Sequence, residues 1–291
     1  MKKLITILLV FFSFTASSQV IRANRYYVPV ASPYIYPLDI YGTDIVAAFS
    51  FRLLKSTYTG YCLKVKRLSD NATQDIGFVN NYLDTTSLKT FVGSSSAVIY
   101  YWYDQSGVGA YANSNNTSAN YFIVESGNIV YLNGFVAVRN KNVPTQFIIS
   151  ISTPYKVLFS AAKIDTFQRR NNITSSAMND NLYYGGTDAN ITGIGGRYSA
   201  GWNNADAESL NLLIAYHNFS SGNLIVSKNG GSDTNTGAFL SSFPNINLLG
   251  SANIGVDQLY GRAYELIFYS ADKSSDKAAI INNINNFYHI Y

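Results

Sequence analysis

At 291 residues, with 47 % apolar and 13 % charged residues, the chain has enough hydrophobic mass for a sizeable core, which argues against intrinsic disorder. Its net charge of +4 shows one cluster, "KVKR" at 64–67, and charges alternating along a strand form a solvated face, so nucleic acid is not an expected partner. Aromatic residues reach 15 %, with 24 Tyr against 2 Trp, a usage that suits wide sheets with one wet face and surfaces that meet sugars.

The N-terminus reads "MKK", then the apolar run "LITILLVFFSF", then "TASSQ". This charged, apolar and small-residue order predicts a signal peptide over residues 1–19, cleaved near Gln19, and a secreted, periplasmic or cell-surface protein. The run is short for a bilayer-spanning helix and no later segment is longer, so no membrane span is expected. Residues 20–43 hold three of the six prolines and read as an extended leader onto a single domain at 44–291. Cys62 is the only cysteine, which leaves no internal disulfide. Its strand-like surroundings predict a buried small hydrophobe.

Residues 44–54, "DIVAAFSFRLL", open with an acid and predict a short helix or a turn-rich lead-in. Strands follow: "GYCLKVKRL", "AVIYYWY", then "GNIVYLNGFVAV", where Asn133-Gly134 is a hairpin dipeptide. "QFIISIS", "YKVLFSAAKI", "LNLLIAYHNF", "NLIVSKNGG", "INLLGSA" and "RAYELIFYS" continue the series. Short strands with Gly, Asn, Ser and Asp turns predict an all-β sandwich, and the lack of a fixed period disfavours a propeller or solenoid. The C-terminal "SSDKAAIINNINNFYHIY" predicts one amphipathic helix, capped by Ser274 or Ser275, with Ile280, Ile284, Phe287 and Tyr288 on one face.

Two corners interrupt the strands. In "RLSDNATQDIG", Asp70-Asn71 predicts an Asx-stabilised turn. In "YDQSG", Asp104 accepts local backbone donors, Ser106 is a turn former and Gly107 supplies positive φ. With no histidine nearby to pair with Ser106, the corner reads as structural.

The order "VAAFSFRLLKSTYTGYCLKVKRLSDNATQDIGF", "YYWYDQSG" and "GRAYELIFYSADKSSD" resembles the catalytic domain of secreted α-L-arabinofuranosidase B, and also a broader set of bacterial surface and phage-associated proteins. The resemblance covers roughly residues 44 to 291 and implies a concanavalin-A-like jelly-roll β-sandwich. The family takes its nucleophile from a W-x-x-A-D-x-E stretch, and this chain reads "WNNADAE". The resemblance therefore implies Glu208 as nucleophile, Asp206 as a substrate-positioning acid and Trp202 as a sugar-stacking ring, with Tyr198 a further substrate-binding candidate. Retaining hydrolysis also needs a second carboxyl about 5 Å away. The family's acid precedes its "YE" strand; counting back from Tyr264-Glu265 reaches Ile254, and Asp257, three residues on, is the candidate acid/base. The family's adjacent cysteine pair has no counterpart here, since "MNDNLYYGGTD" contains no cysteine.

Other chemistry finds less support. His217 and His289 lie far apart without companion ligands, so no metal is expected. "GGTDANITGIGGRY" lacks the strand–loop–helix setting of a phosphate loop, and no cofactor is expected. Three functions remain: a secreted module binding a glycan or polysaccharide, an active retaining α-L-arabinofuranosidase, or a structural or adhesive component with a surface or assembly partner. Fold alone does not choose among them.

Overall fold

The computed structural model describes residues 34–114, 121–140, 147–165, 172–175, 181–184, 194–196, 212–218, 223–238, 243–248 and 261–291. Three helices lie among them, α1 (Pro37–Tyr41), α2 (Thr85–Val92) and α3 (Lys277–Tyr288). The first strands are β1 (Ile45–Ser50), β2 (Leu63–Arg67), β3 (Thr73–Ile76), β4 (Phe78–Val79), β5 (Tyr82–Leu83), β6 (Ala97–Tyr103), β7 (Tyr111–Ser114) and β8 (Tyr121–Glu125). Next come β9 (Asn128–Ile129), β10 (Tyr131–Leu132), β11 (Phe135–Val136), β12 (Val138–Asn140), β13 (Phe147–Tyr155) and β14 (Val157–Ile164). The series ends with β15 (Asn172–Ser175), β16 (Asn181–Tyr184), β17 (Ile194–Gly196), β18 (Leu212–Asn218), β19 (Asn223–Lys228), β20 (Thr234–Ala238), β21 (Phe243–Leu248) and β22 (Gly261–Tyr269).

These strands pair antiparallel into two layers. One runs β20-β19-β18-β14-β22-β1. The other runs β3-β2-β6-β7-β13-β21-β15-β16-β17. Strand β8 joins them at one side, pairing with β6 in the second layer and, through β12, with β22 in the first. The expected all-β jelly-roll sandwich is what forms. Its core lies between the layers, where Phe49, Leu63, Trp102, Ile149, Leu158, Leu266 and Phe268 are buried.

Strand β22 is buried on both faces, and "AYELIFY" is accordingly almost continuously apolar. One face looks into the core; the other carries Tyr264, Ile267 and Tyr269 against Ile280, Ile281, Ile284 and Tyr288 of α3. The expected apolar face of the C-terminal helix is thus its docking face. Its start differs from expectation: the helix begins at Lys277, which places Asp276 at the N-cap without a side-chain cap bond and leaves Ser275 and Ser274 one and two residues before it; Ser274 Oγ donates to Asp272 Oδ2 at 3.0 Å. Among the described residues no helix is long and apolar enough to cross a membrane.

Two further expectations are corrected. Residues 45–50 form a strand, because Asp44 turns the chain at φ 60° and Ile45, then Ala47 to Ser50, pair with β22, the register shifting at Val46. The last residues of the expected extended leader form α1, where Pro37 presets helical φ and Leu38 is buried with its N–H bonded to Leu54 O at 2.9 Å. Helix α2 carried no strong periodic signal and was unexpected. Asp84 begins it by accepting from Ser87 N at 2.9 Å and Ser87 Oγ at 2.6 Å.

The turn residues behave as their chemistry requires. Asn133 and Gly134 adopt φ of 50° and 83°, closing the β10–β11 hairpin. Asn133 Nδ2 then donates to His289 O at 2.9 Å, tying the hairpin to the end of α3. Asn71 sits at φ 60° between β2 and β3, beside Asp70, which accepts from Ala72 N at 3.2 Å. The YDQSG corner is a staple onto β1. Asp104 Oδ1 accepts from Ala48 N at 2.7 Å and from Ser106 N at 2.9 Å. Gln105, fully buried, accepts from Leu54 N at 2.8 Å and donates to Ser50 O and Arg52 O at 2.9 and 3.1 Å. Asp104 is therefore structural, with burial pushing its carboxyl up against the opposing pull of these donors. Cys62 is fully buried as expected, and burial pushes its thiol up.

The deepest polar feature was not anticipated. Arg52, 1 % exposed, grips the fully buried Glu265 with Nε to Oε2 at 2.7 Å and NH2 to Oε1 at 2.8 Å. Ser50 Oγ and Tyr288 OH donate to the same Oε2 at 2.8 and 3.2 Å. Burial works against the guanidinium charge, and the Glu265 carboxylate more than offsets it. Arg52→Met leaves an uncompensated carboxylate in the interior and lowers unfolding free energy by about 3–5 kcal/mol in a denaturant titration, whereas Arg52→Met with Glu265→Leu recovers most of it. His217 is fully buried on β18, in register with Leu158 and Val226, and burial alone lowers its pKa to about 3. The unfolded chain takes up this proton near its ordinary pKa and the fold does not. Stability therefore holds above about pH 6.5 and declines by up to about 1.4 kcal/mol per pH unit as pH falls towards about 3. Thermal melts of His217→Leu across that range show the slope reduced.

Candidate functional site at one rim of the sandwich

Tyr198, Trp202, Asp206, Glu208 and Asp257, the residues singled out in the sequence, lie outside the described residues. The strands that follow them are described, and these converge. Strand β18 begins at Leu212, four residues after Glu208, and β22 begins at Gly261, four residues after Asp257. Both flank β14 at the same end: Lys163 pairs with Leu212 on one side and Arg262 on the other, and Ile164 pairs with Gly261.

A charged cluster occupies this rim. Arg139 of β12 and Arg262 of β22 are direct cross-strand partners, an unfavourable placement for like charges unless an anion intervenes. Asp165, just past β14, supplies it, with Oδ2 3.3 Å from Arg139 Nε and 3.1 Å from Arg262 Nε. The contact with Arg262 is ionic and lacks hydrogen-bond alignment, since both atoms are buried without a hydrogen-bond partner. Arg139 also reaches Glu125 Oε2 at 3.5 Å, and Arg262 donates through NH1 to Tyr131 O at 3.3 Å. Asp165 is thus committed to two guanidiniums, an arrangement that fixes geometry and leaves it no room to serve as a reacting acid.

Beside the cluster lie two concavities. One, of about 310 Å³, is bounded by Glu125, Val130, Arg139 and Arg262. The other, of about 510 Å³, lies between Thr85, Thr86, Lys89 and Thr90 of α2 and the strand segment opposite. Asn128, Ile129 and Tyr131 line both, so the two adjoin along the β9–β10 segment.

A second surface lies on the outer face of the second layer. Tyr101 and Tyr103 alternate with the buried Trp102 along β6, and their rings stack 6.2 Å apart at 29°. Tyr111 meets Tyr101 edge-on at 5.2 Å, and Tyr61 lies 6.4 Å from Tyr103. The band ends in two open rings, as Tyr61 is 54 % and Tyr111 50 % exposed. Polar groups frame it: Asp75 accepts from Tyr103 OH at 2.7 Å, Lys64 Nζ sits 5.7 Å over the Tyr101 ring, and Asn113 is the register partner of Tyr101. Burial, then Asp75, pushes the Tyr103 phenol up, and burial, then Tyr100, does the same for Tyr101, so both stay neutral at physiological pH. The period-two "YYWY" run was read only as a strand; followed outward, the same alternation identifies this face. The groove carried no comparable signal, because α2 and the β9–β10 segment are separated in the chain. Among the described residues no group of three His, Cys, Asp or Glu side chains is arranged to hold a metal ion.

Residues 37–132, 96 of the 291, match the family model described as alpha-L-arabinofuranosidase B, catalytic. Among solved structures, an arabinofuranosidase complexed with arabinofuranosyl-α-1,2-xylobiose is 18 % identical with a TM-score of 0.59, covering 86 % of this chain and 64 % of its own. A Glu-to-Gln variant of a GH54 α-L-arabinofuranosidase, soaked with 4-nitrophenyl α-L-arabinofuranoside, is 18 % identical with a TM-score of 0.60, covering 86 % of this chain and 65 % of its own. The chain thus spans slightly less than two-thirds of the length of these structures, and at such identity the likeness is one of fold. No curated protein sequence matches the chain. The family match embraces β1 and the YDQSG corner, which carry two of the three stretches in which the resemblance was visible; the third, "GRAYELIFYSADKSSD", lies beyond the matched residues. The chain therefore has the jelly-roll sandwich fold of the GH54 α-L-arabinofuranosidases, and over residues 37–132 its sequence resembles the catalytic domain of α-L-arabinofuranosidase B.

Proposed function

We propose that this protein is a secreted, glycan-binding relative of the α-L-arabinofuranosidase B catalytic domain, and that polysaccharide lies across the tyrosine band of its second layer. One observation carries the reading: Tyr61, Tyr103, Tyr101 and Tyr111 form a continuous, half-open aromatic strip edged by Lys64, Asp75 and Asn113. Aromatic faces take the C–H faces of sugar rings, and the phenol, amide and charged edges exchange hydrogen bonds with hydroxyls. Such a surface binds without any tuned acid or base. The missing counterpart of the family's cysteine pair supports binding over hydrolysis. The ordered charged, apolar and small-residue N-terminus supports export, with cleavage near Gln19 and residence in the periplasm, at the cell surface or outside the cell.

A second reading has an observation of its own. The segments bearing Glu208 and Asp257 lead into strands that flank β14 at one end, which supports a retaining α-L-arabinofuranosidase with Glu208 as nucleophile, Asp257 as acid/base, and Tyr198, Trp202 and Asp206 about the sugar. A structural or adhesive role is the remaining alternative.

In affinity electrophoresis against arabinoxylan and arabinan, the wild type is retarded, and Tyr101→Ala weakens binding roughly tenfold, the scale of one or two aromatic contacts. Retention unchanged by that substitution moves the site elsewhere, and no retardation by any glycan favours the adhesive role. With an aryl α-L-arabinofuranoside the binding reading expects no arabinose release. Release by the wild type that drops at least about a hundredfold in Glu208→Gln establishes the hydrolase instead.

A further inference from the structure

We propose that the groove between α2 and the β9–β10 segment is a second carbohydrate site, distinct from the tyrosine band, and that it takes a uronate-bearing oligosaccharide. The concavity beside α2, about 510 Å³, falls within the ~300–1,000 Å³ range of small-molecule sites, and Asn128, Ile129 and Tyr131 also line the adjoining 310 Å³ beside Arg139 and Arg262. Such an extended trough suits a chain of sugars better than a compact ion.

The lining chemistry specifies the sugar. Thr85, Thr86 and Thr90 offer three hydroxyls along one side of α2, each both donor and acceptor. Asn128 faces them with an amide of which one N–H is already given to Ser126 O at 3.1 Å, leaving the carbonyl and a second N–H. Tyr131, 48 % exposed, supplies an aromatic wall. Hydroxyls, an amide and one open ring are the groups that complement a pyranose edge and face.

The charge selects an acid. Lys89, exposed on α2 and lining the groove, makes no ion pair among the described residues, as is also true of Lys66 and Lys156; its place in the groove is what distinguishes it. Along the groove, Lys89, Arg139 and Arg262 face two acids, Glu125 and Asp165, which leaves one positive charge in excess. A neutral glycan packed over Lys89 would strip water from the ammonium without replacing it, whereas a sugar carboxylate restores the lost interaction as a charge-assisted hydrogen bond. The N-terminus of α2 is not the anion-binding element, since Asp84 already occupies it through Ser87.

The test titrates the full chain with trigalacturonate and with neutral xylotriose by calorimetry at low salt. Trigalacturonate binds about tenfold or more tightly than xylotriose, the scale of a single charge-assisted hydrogen bond. Lys89→Ala removes that preference, and Tyr131→Ala weakens both ligands about tenfold. Both side chains are exposed, so their variants keep the wild-type melting temperature. Lys156→Ala, a substitution of an exposed lysine in the β13–β14 turn, leaves both affinities unchanged. The proposal is overturned by absence of trigalacturonate binding, by equal affinity for the two ligands, or by a loss in Lys156→Ala as large as in Lys89→Ala, which marks diffuse attraction to a basic surface.

Discussion

The bidentate pair between Arg52 and Glu265 ties three separate elements of the fold to one buried carboxylate. Two charges removed from water cost several kcal/mol each, and only near-ideal geometry with further hydrogen bonds offsets that cost. Here Ser50 and Tyr288 complete the carboxylate's shell, and the Phe287 ring lies 4.9 Å under the guanidinium. Each partner comes from a different element: the chain after β1, the middle of β22, and α3. Satisfying one carboxylate therefore fixes the edge strand of a sheet, the strand beside it and the helix over its outer face. Tyr264, stacked on Tyr288 at 4.6 Å and bonded to Leu132 O at 2.5 Å, extends the constraint to the β10–β11 hairpin.

That hairpin and the rim beside it link the constraint to the candidate site. Arg262 lies three residues before Glu265 on β22, so the strand that the buried pair immobilises also carries the guanidinium that holds Asp165 and Tyr131 O. The groove and the tyrosine band are joined through β8, which pairs with β9 on one side and with β6, the strand bearing Tyr101 and Tyr103, on the other.

Local features were legible in the sequence and distant ones were not. Asn133-Gly134 and Asp70-Asn71 act within a few residues, and their conformations follow from side-chain chemistry alone. The YDQSG corner was legible as a turn, but its role in stapling β1 was not, since Ala48 and Leu54 lie half a hundred positions upstream. "DIVAAFSFRLL" mixes residues that favour helix with residues that favour strand, and tertiary pairing with β22 decided the outcome. The expected cap at Ser274 or Ser275 failed because the helix begins only at Lys277, which puts Asp276 at the capping position. Arg52 and Glu265 are 213 residues apart, and nothing local to either distinguishes it from an ordinary surface charge. Lys89 and Tyr131 come together only because the β9 segment packs beside α2, a contact that no pattern within either segment records.

The same separation has a consequence for biogenesis. Strand β1 takes its sheet partner from β22, so residues 45–50 have no ladder to join until residue 269 has been made. During synthesis the apolar "IVAAFS" edge and the guanidinium of Arg52 remain without their native partners while nearly the whole chain is extruded. Closing so distant a contact is slow on the scale of small-domain folding. Until its C-terminal segment arrives, a chain of this topology carries an unpaired apolar strand edge, the kind of surface that other chains can pair with.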